Sequence, residues 1–100
     1  MKITLETTDV KLKDAISKND IVDGKFEINL SKTTFKRSTE LTEVLEFSVT
    51  FLSGATSSFV ASWLYDKFKN KSRNMYINDK KVEIKIERIE KEIREVITIE

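Results

Sequence analysis

Two adjacent serines, Ser57 and Ser58, raise the question of nucleophilic catalysis. A serine needs a neighbouring base to remove its proton, and this chain contains no His and no Cys, which leaves only Lys or a carboxylate as the base. A catalytic serine also commonly sits in a Gly-rich turn, whereas these two lie in a stretch typical of a helix. The sequence therefore predicts no catalytic residue and a protein that is not an enzyme.

Carboxylates are plentiful near the C-terminus, where they could bind a metal ion or act as acid and base. They alternate with Lys and Arg in "KVEIKIERIEKEIREV", which is typical of a solvated, ion-paired helix face. The carboxylates concerned are Glu83, Glu87, Glu90, Glu92 and Glu95. A Gly-rich loop around a phosphate is also excluded, since Gly24 and Gly54 are the only two glycines. We expect no metal site and no cofactor.

One basic cluster, "KFKNKSR" at residues 67–73, could contact phosphates, and Phe68 within it could stack on a base. The same positions also suit the C-terminus of a helix, where the helix dipole favours positive charge. Because the net charge of the whole chain is only +1, a protein that grips nucleic acid is not expected. We favour the dipole interpretation.

Composition places the chain among folded, soluble proteins. Its 100 residues are 39% hydrophobic and 35% charged, which is enough for one modest core in a single domain spanning residues 1–100. The absence of Cys is compatible with a reducing cytosol, and the N-terminal "MKITLETTDV" lacks the apolar run of a signal peptide. We expect a cytoplasmic protein.

Local patterns predict the first elements. Alternating apolar residues indicate a strand over residues 3–5, and "DVKLKDAISKND" predicts a short helix over residues 9–20. An Asp23-Gly24 turn precedes a second strand over residues 26–30. Whether the two apolar residues before that turn pair with this strand is left open. Residues 31–39 are predicted to be a polar connector.

Charge signals at both ends predict one long helix over residues 40–69. Thr39 is a suitable N-cap, Glu40 and Glu43 lie in the first turn, and basic residues cluster at the far end. Thirty helical residues would span about 45 Å, so a bend or break is expected at Ser53-Gly54. The helix face predicted to supply the core carries Leu41, Val44, Leu45, Leu52, Ala55, Phe59 and Trp63.

Residues 47–65, "FSVTFLSGATSSFVASWLY", contain no charge, and this length could span a bilayer. Small and apolar residues nevertheless separate onto two faces of a helical wheel, which favours an amphipathic core helix. Small residues permit close backbone approach. We therefore expect a partner protein or a second copy at the small-residue strip, and coverage by another segment of this chain is the competing explanation. The small-residue strip consists of Gly54, Ser57, Ser58 and Ala61.

The C-terminal third predicts a hairpin and a helix. In "NMYINDKKVEIKI", a turn at Asp79-Lys80 would place Ile77 opposite Val82 and Met75 opposite Ile84, with all four on one face. The isoleucines of "ERIEKEIREVITIE" recur at helical spacing, which favours a helix to about Val96. A strand over the last five residues is left open.

The segment "SGATSSFVASWLYDKFKNKSRNMYINDKKVEIKI" contains the small-residue centre of the predicted long helix, which ends in a Trp63-Leu64 pair and a basic break. A strand, a tight turn and a Val/Ile strand follow. Over residues 40–86 this order resembles the effector-associated constant component family of bacterial conflict systems. The resemblance implies a non-enzymatic accessory subunit that acts beside effector or signalling proteins in bacterial defence.

The sequence thus predicts an α+β fold, with a small, mostly antiparallel sheet packed on one long helix in the order β-α-β-α-β-β-α. The predicted function is a non-enzymatic protein-interaction module, an accessory or adaptor component of a bacterial defence or conflict system. Two alternatives stay open. One is a phage-encoded inhibitor that binds a host defence enzyme, and the other is a small membrane-active protein that inserts residues 47–65.

Overall fold

The computed structural model describes residues 1–9, 12, 20–37 and 41–99. The strands in these residues are β1 (Lys2–Thr7), β2 (Asp20–Val22), β3 (Phe26–Arg37), β4 (Leu41–Phe51), β5 (Asn74–Ile77) and β6 (Lys80–Val82). The helices are α1 (Ser57–Phe68) and α2 (Ile86–Ile99). The helix predicted over residues 9–20 falls almost entirely outside the described residues.

The six strands form one antiparallel sheet in the order β2-β3-β4-β1-β5-β6. β1 lies in the middle, with Ile3 opposite Phe47 of β4 on one side and opposite Ile77 of β5 on the other. The predicted α+β class and the small antiparallel sheet are therefore confirmed. The predicted element order is not matched, because the described elements run β-β-β-β-α-β-β-α.

One face of the sheet packs against both helices. The buried helical residues are Val60, Ala61, Leu64 and Phe68 of α1 and Ile89 and Ile93 of α2. The ring of Phe26 on β3 lies 5.2 Å from the ring of Trp63 and 6.1 Å from the ring of Phe59, both in T-shaped geometry. Such pairs contribute about 0.5–1.5 kcal/mol each beyond their burial. Phe59 and Trp63 pack on the core, as the sequence predicted.

The predicted long helix over residues 40–69 is wrong, because its first half is strand β4. A period of two fits a pleated strand, and the two neighbouring strands satisfy the backbone of β4 on both edges. Apolar residues that point into the core alternate with polar ones on the other face. The buried apolar set is Leu45, Phe47 and Val49, and the polar set is Glu46, Ser48 and Thr50.

α1 starts only after a turn at Ser53-Gly54, where the sequence predicted a bend or break. Gly54 has φ +86°, a backbone conformation that is unfavourable for residues other than glycine. Thr56 is the N-cap, and its side chain accepts a hydrogen bond of 3.1 Å from the backbone N–H of Phe59. Within the described residues, no helix is both long and apolar enough to cross a membrane.

The predicted polar connector over residues 31–39 is also wrong where it is described, because β3 continues to Arg37. The register along β4 shifts at a bulge between Leu30 and Lys32. Ser31 occupies this bulge, and its hydroxyl donates to the backbone carbonyl of Glu46 at 2.9 Å. The strand continues beyond the bulge because the backbone of β4 pairs with residues 32–37, although most of these residues are polar.

β5 and β6 form the predicted hairpin, but its turn is at Asn78-Asp79 rather than at Asp79-Lys80. Met75 consequently lies opposite Val82, and Ile77 lies opposite Lys80. The turn requires positive φ at both central residues, 49° and 69° here, which Asn and Asp tolerate better than Lys. The pairing is shifted by two residues, so the apolar side chains keep the predicted face.

The hairpin turn is fastened to β1. The backbone N–H of Lys2 donates to Asn78 Oδ1 at 2.9 Å, and Lys2 Nζ lies 2.7 Å from Asp79 Oδ1. The hydrogen bond to Asp79 raises the pKa of the Lys2 ammonium above its ordinary value. Asn78 and Asp79 thus hold the β5–β6 hairpin against β1, which is distant from it in sequence.

α2 is helical to Ile99, so the strand alternative for the last residues is wrong. Ile89 and Ile93 are buried, as their helical spacing predicted. The charged face carries ion pairs, for example between Arg94 and Glu90 at 3.2 Å and between Lys80 and Glu92 at 3.3 Å. The interleaved charges therefore form the ion-paired face that the sequence predicted.

Candidate protein interface

The residues of the predicted small-residue strip do not share one surface. Gly54 lies in the turn before α1, and Ser58 is exposed on the first helical turn. Ala61 is fully buried in the core of this chain, so the strip does not form one helix face. The long helix expected to mediate self-association is replaced by β4 and α1. Contact of Ser57 and Ser58 with a partner stays a prediction.

The outer edge of β3 offers a different surface. β2 pairs with this edge only from Phe26 to Ile28. No other described strand pairs with it, so the edge has no strand partner among the described residues from Asn29 to Arg37. β4 pairs with the inner edge along the same length. Unpaired N–H and C=O groups on such an edge are a template for another strand.

Hydrogen bonds at the C-terminal end of β4 show which backbone groups of β3 point away from β4. The N–H of Val49 donates to the carbonyl of Met1 at 2.7 Å, and the Met1 amino group donates back to Val49 at 3.0 Å. The backbone of Val49 thus points toward β1, and successive residues of a strand alternate in direction. Val44 therefore points toward β3, and Thr34 opposite it points toward β4. Thr33 and Phe35 present their N–H and C=O groups outward.

The side chains along this edge are also accessible. Every described side chain from Ser31 to Phe35 is exposed. Phe35 is 55% exposed, whereas Ile28 in the paired part of the same strand is 1% exposed. A shallow cavity of about 360 Å³ lies at this position, and its lining consists of Lys32, Thr34, Phe35, Val44 and Glu46. An exposed aromatic ring beside outward backbone groups is suited to anchor a partner.

The edge is basic. Residues 29–37 include Lys32, Lys36 and Arg37 and no acidic residue. Lys32 lies opposite Glu46 on β4, which is the nearest acidic position on that face by register. An extended acidic segment would therefore meet complementary charge here. We call residues Lys32–Arg37 the β3 edge.

A buried carboxylate lies on β4 beside the β3 edge. Glu43 is 3% exposed and lies opposite Phe35 on one side and Thr7 on the other. Its Oε1 atom is buried and accepts no hydrogen bond from the described residues. Burial of such a group without a donor is unfavourable. Among the described residues, no group of three or more acidic side chains could hold a metal ion.

The sequence contained one signal for the β3 edge. Thr33, Thr34 and Phe35 favour a strand, and no Gly, Pro, Asn or Asp occurs between Leu30 and Glu40 to end it. The flanking Lys, Ser and Arg residues made the segment resemble a connector.

Comparison with known proteins gives no relative for this chain. No family model matches it, and no curated protein or solved structure matches it. The β3 edge, by its geometry and charge, is therefore the candidate functional site.

Proposed function

We propose that this domain is a non-enzymatic protein-interaction module that binds an extended acidic segment of another protein at the β3 edge. The observation that carries the proposal is an edge of about six residues whose outward backbone groups lack a strand partner among the described residues. In strand addition, backbone hydrogen bonds provide affinity, and side chains on alternate positions provide specificity. Phe35 is the anchor in this proposal.

Charge argues for a different protein rather than a second copy. Two β3 edges paired antiparallel would bring Lys32, Lys36 and Arg37 of both chains together, six positive charges with no acidic residue between them. Like charges across strands are destabilising, whereas an acidic segment would be attracted. The sequence therefore favours a heterologous partner over self-association.

The bulge at Ser31 defines where the added strand ends. The pairing register changes between Leu30 and Lys32, and a bulge bends the strand and interrupts regular pairing. On the other side of the bulge, β2 already covers residues 26–28. The partner segment is therefore short, matching Lys32–Arg37.

The biological setting is part of the proposal. A role as an accessory component of a bacterial defence or conflict system is proposed from the resemblance over residues 40–86, in which α1 and the β5–β6 hairpin keep the expected order although residues 41–51 form a strand. The cytoplasmic location is supported by the Cys-free composition. Neither is needed for the binding mode to be tested.

The test is titration of the ¹⁵N-labelled domain with a short capped peptide of alternating Glu and Val, followed by amide shifts and calorimetry. We expect shifts at Thr33, Phe35 and their neighbours. The matched control is the same peptide with Lys in place of Glu, which the basic edge should reject. Equal binding of both peptides, or shifts confined to another surface, would contradict the proposal.

The Thr33→Pro variant separates edge pairing from general charge attraction. Thr33 points its N–H outward, so proline removes an edge donor without removing a bond to β4. We expect an unchanged melting profile and loss of the peptide-induced shifts. Retained binding by the folded variant would show that strand addition is not the mode.

A further inference from the structure

A second surface lies away from the β3 edge, where the segment after α1 meets β6 and the start of α2. It is a groove of about 540 Å³ that includes Ser72, Val82 and Ile84 in its lining. Pockets for small ligands commonly have volumes of about 300–1,000 Å³. The groove is large enough for a small organic molecule.

The lining is strongly basic. The cationic side chains are Lys69, Arg73, Lys81 and Lys85, and the one carboxylate is Glu83. Even without Arg73, the three lysines exceed this carboxylate by two formal positive charges, on a chain whose net charge is +1. Lys85 pairs with Glu83 at 3.3 Å and Lys69 approaches Asp66 at 4.0 Å, and all four side chains are substantially exposed. Such exposed pairs are weak and leave the groove positive.

Ser72 supplies an independent observation. Ser72 is one of the residues that line the groove, and its Oγ atom is buried and has no hydrogen-bond partner among the described residues. The backbone N–H of Ser72 donates to the carbonyl of Phe68 at 3.1 Å, which fixes the position of the residue. A buried hydroxyl without a partner is unfavourable, and a bound acceptor would relieve that cost.

The start of α2 adds to the positive potential. Lys85 lines the groove, and its carbonyl accepts from the N–H groups of Arg88 and Ile89 at 3.1 and 3.0 Å. The groove therefore lies at the N-terminal end of a 14-residue helix, where the helix dipole favours an anion.

We propose that this groove binds a small organic phosphate of about mononucleotide size. On binding, rotation of the Ser72 side chain brings Oγ into the groove, where it donates to a phosphate oxygen. Lys81 and Lys85 neutralise the phosphate charge, and the organic part lies against Val82 and Ile84. A nucleic acid strand is a poorer fit. Phe68, the aromatic residue of the 67–73 basic cluster, is fully buried and offers no stacking surface.

The experiment is titration of the full chain with AMP, inorganic pyrophosphate and adenosine, followed by amide shifts and calorimetry. We expect AMP and pyrophosphate to shift the amides of residues 72–73 and 81–85, with weaker binding at higher salt. Adenosine should bind at least tenfold more weakly than AMP, since hydrogen bonds to charged groups contribute the most. Equal binding of adenosine and AMP, or no shifts with either phosphate, would overturn the proposal.

Variants make the assignment specific. Ser72→Ala should weaken AMP binding by about tenfold, because it removes one charge-assisted hydrogen bond. It should not impair folding, because the hydroxyl lacks a partner. Lys81→Gln should also weaken binding, and Lys32→Gln at the β3 edge is the matched control that should not. Ser72→Ala and Lys81→Gln proteins that bind AMP like the unaltered chain would refute the site.

Two further measurements complete the test. The first is titration with a single-stranded oligonucleotide. If it binds far more tightly than AMP and shifts amides on both surfaces, the ligand is a polyanion rather than a small phosphate, and the proposal is overturned. Thr33→Pro should bind AMP normally. This proposal and the peptide-binding proposal can therefore fail separately.

Discussion

β3 pairs with β4 in both halves of the β3–β4 hairpin, but one half contains buried β3 side chains and the described β3 side chains of the other are exposed. In the half that begins at Phe26, Phe26 and Ile28 are buried, and the ring of Phe26 contacts the rings of Phe59 and Trp63 on α1. In the half beyond the bulge at Ser31, the described β3 side chains are all exposed. We call these the covered half (residues 26–30) and the open half (residues 32–37).

This difference shows that a segment of this domain can be paired in the sheet without contributing to the core. Pairing with β4 keeps residues 32–37 extended, although the side chains of residues 32–35 are exposed. The covered half differs in that Phe26 contacts Phe59 and Trp63 of α1. The open half has an exposed strand edge held in place by a packed core, which suits it for binding a partner.

The largest expected effect is Phe26→Ala in the covered half. Truncation of a fully buried Phe should lower the free energy of unfolding by about 3–5 kcal/mol, because it removes apolar contact and leaves a cavity. Chemical denaturation monitored by Trp63 fluorescence measures it. A loss below about 1 kcal/mol would mean that the covered half is not packed as described.

Proline at adjacent positions of the open half should have unequal effects. Thr34 points its N–H toward β4, so Thr34→Pro should lower the free energy of unfolding by about 1–3 kcal/mol through a lost strand bond. Thr33→Pro is the matched control, with an expected change within about 0.5 kcal/mol. Equal losses in urea denaturation would show that the assigned alternation is wrong.

Gly54→Ala tests the turn that leads from the hairpin into α1. A Cβ at this position would meet only Lys25 Nζ at 3.6 Å, an ordinary contact. The expected loss of about 1 kcal/mol therefore comes from the positive φ alone. Thermal melts of Gly54→Ala measure it, and an unchanged melting temperature would mean that the turn adopts another conformation.

The smallest stability effect is expected for Phe35→Ala in the open half. An exposed side chain contributes little to folding, so the free energy of unfolding should change by no more than about 0.5 kcal/mol. Affinity for the acidic peptide should nevertheless fall, because the anchor is lost. A large stability loss would identify Phe35 as core, and unchanged affinity would remove it from the interface.

Elements whose signals are local could be predicted from the sequence. Ile3 and Leu5 alternate within β1, Ile89 and Ile93 lie on one face of α2, and Gly54 interrupts the middle of the chain. Each of these patterns specifies a conformation without reference to a distant residue. The β5–β6 hairpin was predicted for the same reason, but its turn depended on the φ preferences of Asn78 and Asp79.

β4 could not be predicted with the same ease, because two periodicities compete in its sequence. Glu43 near the start and basic residues after Phe68 fit the two ends of one helix, and this pattern predicts a single helix over residues 40–69. The alternation through Phe47 and Val49 indicated a strand, but its stability depends on β1 and β3, which are distant in sequence. The β3 edge could not be predicted either, because residues 32–37 form a strand only by pairing with β4.

The positive charges of the β3 edge have a consequence for handling the protein. These charges should prevent the β3 edges of two molecules from pairing. Salt screens this repulsion, since the Debye length falls from about 10 Å at 0.1 M to about 3 Å at 1 M ionic strength. Light scattering should therefore show the purified domain monodisperse at low ionic strength and increasingly associated as salt rises. Substitution of Lys32 and Lys36 by Gln should move that onset to lower salt. Concentrated stocks are accordingly expected to keep best in dilute buffer.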